Sequence, residues 1–140
     1  MRAYEYRHIV GFEETNVVGN VYYANHVRWQ GRVREMFLRE HAPQVLKELA
    51  HGLSFVTTRV SCEYYAEISA FDEVIIRMYA GAITNSRVTM LFDYLRVTET
   101  GTELVAKGEQ QIACVRREAE RTVPSPVPDS LRQALSAFTA

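Results

Sequence analysis

The 140-residue sequence is 47% hydrophobic and 24% charged, the balance of an ordinary globular domain and not of a disordered chain. Its 16 basic and 17 acidic residues leave a net charge of −1, which offers no grip on a nucleic-acid backbone or an anionic membrane. Cys62 and Cys114 are too few for a metal cage and are not spaced as a redox pair. Both lie in apolar runs, so buried free thiols of a reducing cytoplasm are expected. Fourteen of the basic residues are arginine, which reads first as codon bias and second as a pointer to anionic ligands.

The start of the chain mixes Arg2, Glu5, Arg7 and Glu13 among aromatics, with no apolar targeting segment, and no window approaches membrane-span length. The expectation is a soluble, unprocessed chain forming one domain over residues 1–140. Tyr4 to Val10 reads as a short strand, and residues 11–19 as a polar loop. From about Tyr23 to His41 the pattern turns helical, with Trp29, Val33, Met36 and Phe37 on one face and Arg28, Arg32 and Arg39 elsewhere. Gly31 inside that helix costs about 1 kcal/mol relative to alanine, which suggests that something approaches the helix closely there. Pro43 opens a second, short helix ending near Gly52.

Four strand-like runs follow: Leu53–Ala66, Glu73–Thr84, Arg87–Thr98 and Glu103–Arg117. Turn signals at Phe71-Asp72, Asn85-Ser86 and Thr100-Gly101 make them an antiparallel meander. Thr122 to Pro128 reads as a linker, and Asp129 as the N-cap of a last helix, Ser130 to Phe138. In the second and third runs both parities are apolar: Val74, Ile76 and Met78 against Ile75, Tyr79 and Ile83, then Val88, Met90 and Phe92 against Leu91, Leu95 and Val97. One long helix covers only one face of such a sheet. The other face implies a second copy of the chain.

Several chemistries lack their motifs. There is no G-x-G-x-x-G, P-loop, H-E-x-x-H or nucleophile elbow, and His8, His26, His41 and His51 are not at ligand spacing. No metal and no organic cofactor is expected. The dense stretch runs from Gly11 to Asn25 and into the long helix. Free backbone N–H groups at the helix start, near Tyr23, are suited to an oxygen that gains negative charge. Turn geometry alone also accounts for Asn16 and Gly19.

Gly11-Phe-Glu-Glu-Thr-Asn16, Gly19-Asn-Val-Tyr-Tyr23 and Arg28-Trp-Gln-Gly-Arg-Val-Arg-Glu-Met-Phe37 resemble the hotdog-fold acyl thioesterases of the 4-hydroxybenzoyl-CoA thioesterase type. Within them they are most similar to the thioesterases that accompany iterative enediyne polyketide synthases. The resemblance implies an α+β hotdog fold, a five-stranded antiparallel sheet wrapped around one long helix, and would account for Gly31. It implies a homodimer assembling to a homotetramer in the cytoplasm, serving antibiotic biosynthesis. It also implies a polyketide thioester substrate, polyene with a β-keto or β-hydroxy group, carried on an acyl carrier domain and decarboxylating once free.

The site residues carried over are Asn16, Tyr23, His26 and Arg34 for catalysis, with Gly19, Val21, Tyr22 and Glu35 contacting substrate. The broader family has a catalytic aspartate where this chain has Asn16. An amide is neither nucleophile nor base at neutral pH, but it donates to an oxyanion or orients a water molecule. The mechanism implied is therefore attack by water, with the Tyr23 N–H, Asn16 and Arg34 stabilising the oxyanion. His26, where relatives commonly place tyrosine, is either a base or a polar residue filling a helix-facing position. Arg34 lies eighteen residues from Asn16 and can meet it only through folding or across a dimer interface. Glu35 is next to Arg34, and helix neighbours point apart. Two alternatives stay open: an acyl-CoA thioesterase of primary metabolism, and a non-catalytic acyl-binding hotdog protein. A hotdog dehydratase lacks its His-x-x-x-Pro-Gly loop.

Overall fold

The long helix forms because Trp29, Val33 and Phe37 recur at helical spacing and are buried together, Val33 completely. In the computed structural model, which describes residues 2–139, this helix α1 spans Ala24–His41 and is preceded by strand β1, Tyr4–Ile9. A single 3-10 turn at Phe12–Glu14 lies inside the segment expected to be irregular. Pro43 occupies the first turn of α2, Pro43–Leu49, where its missing N–H is not needed. Then come β2 (Leu53–Tyr64), β3 (Glu73–Ile83), β4 (Arg87–Thr98), β5 (Gly101–Glu118), β6 (Arg121–Pro124) and α3 (Asp129–Ser136).

The strands pair antiparallel in the order β1-β3-β4-β5-β2, with β6 added beside the end of β5. The register sets Val74, Ile76 and Met78 of β3 level with Arg96, Tyr94 and Phe92 of β4. Val74, Ile76, Met78, Val88, Met90, Phe92 and Tyr94 are buried in one core with Trp29, Val33 and Phe37 of α1. This is the hotdog architecture, an antiparallel sheet curled around a helix.

Four details differ from the sequence reading. The sheet gains a sixth strand, because Ala119 takes a left-handed backbone (φ 54°) and turns Arg121–Pro124 back against β5. The segment expected to be a linker is therefore tied down: Ser125 N–H donates to Cys114 O (2.9 Å) and Val127 N–H to Asn85 O (2.8 Å). Asp129 does not cap α3; Pro128 holds that position, and its carbonyl accepts from the N–H groups of Leu131 and Arg132. A Cβ on Gly31 would meet nothing within 4 Å, so no part of this chain approaches the helix there. The close approach is at Gly108 of β5, where a Cβ would run into the Gln30 side chain. Gln30 is fully buried, and its amide donates to Ser61 O (3.1 Å).

The outer face of β3 and β4 is less bare than the alternation suggests, with Leu91, Leu95 and Val97 half-buried and Ile75 buried. Exposed apolar side chains gather instead on edge strand β2 (Val56, Val60) and on the loop before α1 (Phe12, Val17, Val18). The C-terminal end of α1 is closed by Phe138, whose ring meets those of Tyr4 (6.3 Å), Phe37 (5.4 Å) and His41 (4.9 Å). Neither cysteine is in a disulfide, and no helix of the described residues is long and apolar enough to cross a membrane.

Candidate active site

The loop between the 3-10 turn and α1 is shaped by Asn16 and Gly19. The Asn16 N–H donates to Asn20 O (2.8 Å), and the Gly19 N–H returns to Asn16 O (3.0 Å). Gly19 sits at φ 92°, a conformation that glycine adopts without strain. The Asn16 Oδ1 accepts the Val18 N–H at 3.0 Å. That oxygen is committed to the turn, so what Asn16 presents outward is its NH2 group, a donor. The loop is docked by the Val21 N–H, which donates to Ile68 O (2.7 Å), and by bridges between Thr15 and Val21 and between Asn20 and Ser69.

Asn16, Tyr23, His26, Tyr64 and Ile68 line a cleft of about 370 Å³ at the start of α1, with Val21, Asn20, Tyr65, Ala66 and Glu67 completing its wall. Tyr23 precedes the first helical residue, and its N–H has no acceptor among the described residues. The Tyr23 carbonyl accepts the Tyr64 hydroxyl at 2.8 Å, which ties the helix start to the end of β2. Burial pushes the Tyr64 phenol up to about 12, so it stays a neutral donor at physiological pH.

His26 is the unusual group. It is only 4% exposed, and neither ring nitrogen has a hydrogen-bond partner among the described residues. Its ring packs against Trp29 (5.3 Å), Tyr64 (4.7 Å) and Tyr94 (5.5 Å). Burial drives its pKa down to about 4; a polar contact with the Tyr23 backbone opposes the shift but falls short of hydrogen-bond geometry. The imidazole is neutral at pH 7 and carries an unused acceptor. The Tyr94 hydroxyl holds the helix at this point by donating to His26 O at 2.7 Å.

Of the residues singled out from sequence, Asn16, Val21, Tyr23 and His26 meet in this cleft. Gly19 lies in the adjoining surface hollow that shares Asn16, and the exposed Tyr22 ring leans against Tyr23 at a tilt of 43° with ring centres 4.6 Å apart. Arg34 does not join them within one chain. It lies eleven residues beyond Tyr23, about 16 Å along the helix axis. There its guanidinium donates to Gln110 Oε1 (2.8 Å), sits 5.9 Å from the centre of the Phe55 ring and borders a small apolar slot with Met90, Leu131 and Leu135. Burial lowers its pKa against the opposing pull of Glu35, and it has no carboxylate within 4 Å among the described residues. Glu35 itself is exposed. Tyr64 and Gln110 escaped the sequence reading because each sits far along the chain from the residue it holds. Among the described residues no three His, Cys, Asp or Glu side chains are grouped to hold a metal.

A family model for the thioesterase-like superfamily matches residues 10–135. This chain belongs to that superfamily. As a thioesterase it is 30% identical, over 106 residues covering 76% of this chain and 77% of the relative, to the acyl-CoA thioester hydrolase YbgC of Escherichia coli O6:H1. The thioesterase superposes with a TM-score of 0.95 and 47% identity on the dynemicin thioesterase, covering 99% of this chain and 98% of that one. Crystal structures of that protein revealed induced-fit and allosteric effects upon polyene binding. A mutant 4-hydroxybenzoyl-CoA thioesterase complexed with 4-hydroxybenzoyl-CoA shares the fold at TM-score 0.84 and 16% identity, over 96% of this chain and 99% of that one.

Proposed function

We propose that this thioesterase hydrolyses a polyketide acyl thioester, a polyene with a β-keto or β-hydroxy group, presented by the acyl carrier domain of an enediyne-type iterative synthase. The observation that carries the reading is the pair of free donors in one cleft: the Asn16 amide, its oxygen committed to the turn, and the unengaged Tyr23 N–H. The thioester carbonyl oxygen sits between them. Water adds to the carbonyl carbon, the two donors hold the oxyanion, and the carrier thiolate leaves and takes up the proton as thiol. One such donor is worth about 3 to 4 kcal/mol, enough for catalysis without a carboxylate. A histidine with a pKa of about 4 is a weak base at pH 7, and with both ring nitrogens closed off from solvent His26 shapes the cleft wall through its packing on Trp29, Tyr64 and Tyr94. A β-keto product loses CO2 after release.

Arg34 enters this reading across a homodimer, where its half-buried, carboxylate-free cation meets the β-oxygen of the partner's substrate. Support for a dimer comes from the long edge strand β2 with exposed Val56 and Val60, and from exposed Val17 and Val18 beside the cleft. Two such dimers form the tetramer. Tyr22, Tyr23, Tyr64 and Tyr65 around the cleft mouth suit a flat conjugated chain, as does the likeness to a polyene-binding relative.

The test is hydrolysis of a β-keto acyl thioester by Asn16→Ala and Arg34→Ala. Each is expected to fall at least tenfold in kcat/KM, and wild-type rates in both would overturn the site. The likeness to an acyl-CoA thioester hydrolase favours a second reading, hydrolysis of ordinary acyl-CoA esters. Equal rates on CoA esters and on carrier-bound polyketide chains would select it.

A further inference from the structure

Glu14 stands outside the cleft, yet five hydrogen bonds from three parts of the molecule converge on it. Its Oε1 accepts the Gly11 N–H (2.8 Å) and His8 Nε2 of β1 (2.7 Å), and its Oε2 accepts the indole N–H of Trp29 (2.7 Å). Its backbone carbonyl accepts the Asn25 side-chain amide (2.8 Å) and the Tyr22 N–H (3.0 Å). An ionised carboxylate only accepts, so His8 carries its proton on Nε2. The carboxyl is 17% exposed; burial alone would raise its pKa, but the Gly11, His8 and Trp29 bonds together hold it below the usual carboxylate range.

This clamp lies one and two residues from the two donors. Asn16 follows Glu14 by two residues, and Tyr23 follows Tyr22, whose N–H the Glu14 carbonyl holds. Glu14 therefore fastens the loop to the helix start through both its side chain and its backbone carbonyl. We infer that Glu14 is a positioning residue for thioester hydrolysis, setting the separation between the Asn16 amide and the Tyr23 N–H. The inference rests on the reading of those two groups as the oxyanion donors. It is separable from a purely structural role because the loop has other anchors. The Thr15–Val21 bridge, the Val21 N–H to Ile68 bond, the Asn16 N–H to Asn20 bond and the two bonds to the Glu14 backbone carbonyl all remain when the carboxylate is gone, and what is lost is its hold on His8, Gly11 and Trp29. Losing the clamp shifts the donors and leaves the loop in place, and donors act only at the right distance from the developing oxyanion.

Glu14→Gln preserves shape, but whichever way the amide is turned its NH2 faces either Trp29 or the pair formed by Gly11 and His8. The expected result is a 10- to 100-fold fall in kcat, with KM within threefold of wild type. Because Trp29 is the only tryptophan, a shift in its emission shows that the clamp has opened. In an Asn16→Ala background the same change is expected to slow kcat less than threefold, since the donor pair is already broken. Trp29→Phe, which removes only the Oε2 bond, serves if Glu14→Gln does not fold; its expected three- to tenfold loss in kcat likewise vanishes with Asn16→Ala. A kcat within twofold of wild type in the folded single variant, or the same factor in both backgrounds, overturns the inference. A wild-type rate in the Asn16→Ala single variant overturns the reading of Asn16 as an oxyanion donor instead.

Discussion

The two ends of α1 are built in opposite ways. At its start, the helix is held by directed polar contacts: Tyr64 to the Tyr23 carbonyl, Tyr94 to the His26 carbonyl, and Asn25 and Trp29 to Glu14. At its end, it is held by rings and aliphatic chains: Phe37, Leu38, Tyr4 and Phe138, with Val45 of α2 and Leu135 of α3. Packing of the second kind contributes most of the free energy but fixes atoms only loosely, since apolar contact is non-directional. Hydrogen bonds of the first kind contribute about 1 kcal/mol each but define direction and distance. A reaction centre needs direction and distance. The open cleft is accordingly at the polar end of the helix.

Phe37→Ala should break the apolar end most severely. Deleting its ring is expected to cost about 3–5 kcal/mol in denaturant unfolding, with kcat per folded molecule within about threefold of wild type. A collapse of kcat at full stability would show that the two ends are not separable. Acid should reveal the polar end. His26 is neutral in the fold down to about pH 4, whereas in the unfolded chain it takes a proton near pH 6.5. Between those values the unfolded state binds the extra proton, so stability falls as pH falls, by roughly 3 kcal/mol across the window. Unfolding midpoints measured from pH 7 to pH 4 should show this slope, and His26→Phe should flatten it. The carboxylate of Glu14 adds a loss of the same sign further down, as pH falls through its own lowered pKa.

Gly108→Ala sharpens the contrast in the middle of the helix. Its methyl would displace the buried Gln30 amide, at an expected cost of about 1–3 kcal/mol by thermal unfolding. The smallest effect belongs to the surface. Arg7 pairs with Glu73 at 2.6 Å while more than half exposed, and Arg7→Ala should change stability by less than about 1 kcal/mol. A larger loss there would mean that exposed charge pairs, and not the two ends of α1, govern the fold.

Most of the architecture is legible in the chain because it follows from local pattern. The spacing of Trp29, Val33 and Phe37 announces α1, Pro43 announces α2, and alternation between turn signals places β2 to β5 within a few residues. The strand β6 was not legible, because it depends on a left-handed Ala119, a residue type that rarely marks a turn. Gly31 attracted attention and Gly108 did not, since a glycine in a helix looks costly whereas one in a strand is judged only by what lies across from it. In the candidate site, the Tyr23 N–H was legible from the loop-to-helix junction, and Asn16 only from the family resemblance, since turn geometry accounts for it equally well. That Asn16 presents its nitrogen outward was not, because this depends on where the Val18 N–H points. Glu14 was invisible for a similar reason: of its five partners, at positions 8, 11, 22, 25 and 29, only Gly11 stands at a local capping spacing, and the rest reach it through the fold.

His26, Gln30 and Arg34 follow one another at every fourth residue along the sheet-facing side of α1. Each touches a different strand: the His26 carbonyl meets Tyr94 of β4, Gln30 meets Ser61 of β2, and Arg34 meets Gln110 of β5. An apolar helix can slide along an apolar trough at little cost, since one turn up or down presents much the same surface. This one cannot. A slip of one turn would strip the Gln30 and Arg34 side-chain contacts at once, a penalty of a few kcal/mol at about 1–3 kcal/mol for each group left unsatisfied. The stripe works as a ratchet with a single tooth setting, so a sequence that kept every hydrophobic residue of α1 but lost Gln30 and Arg34 would still form the layers and would no longer know where along the sheet to stop.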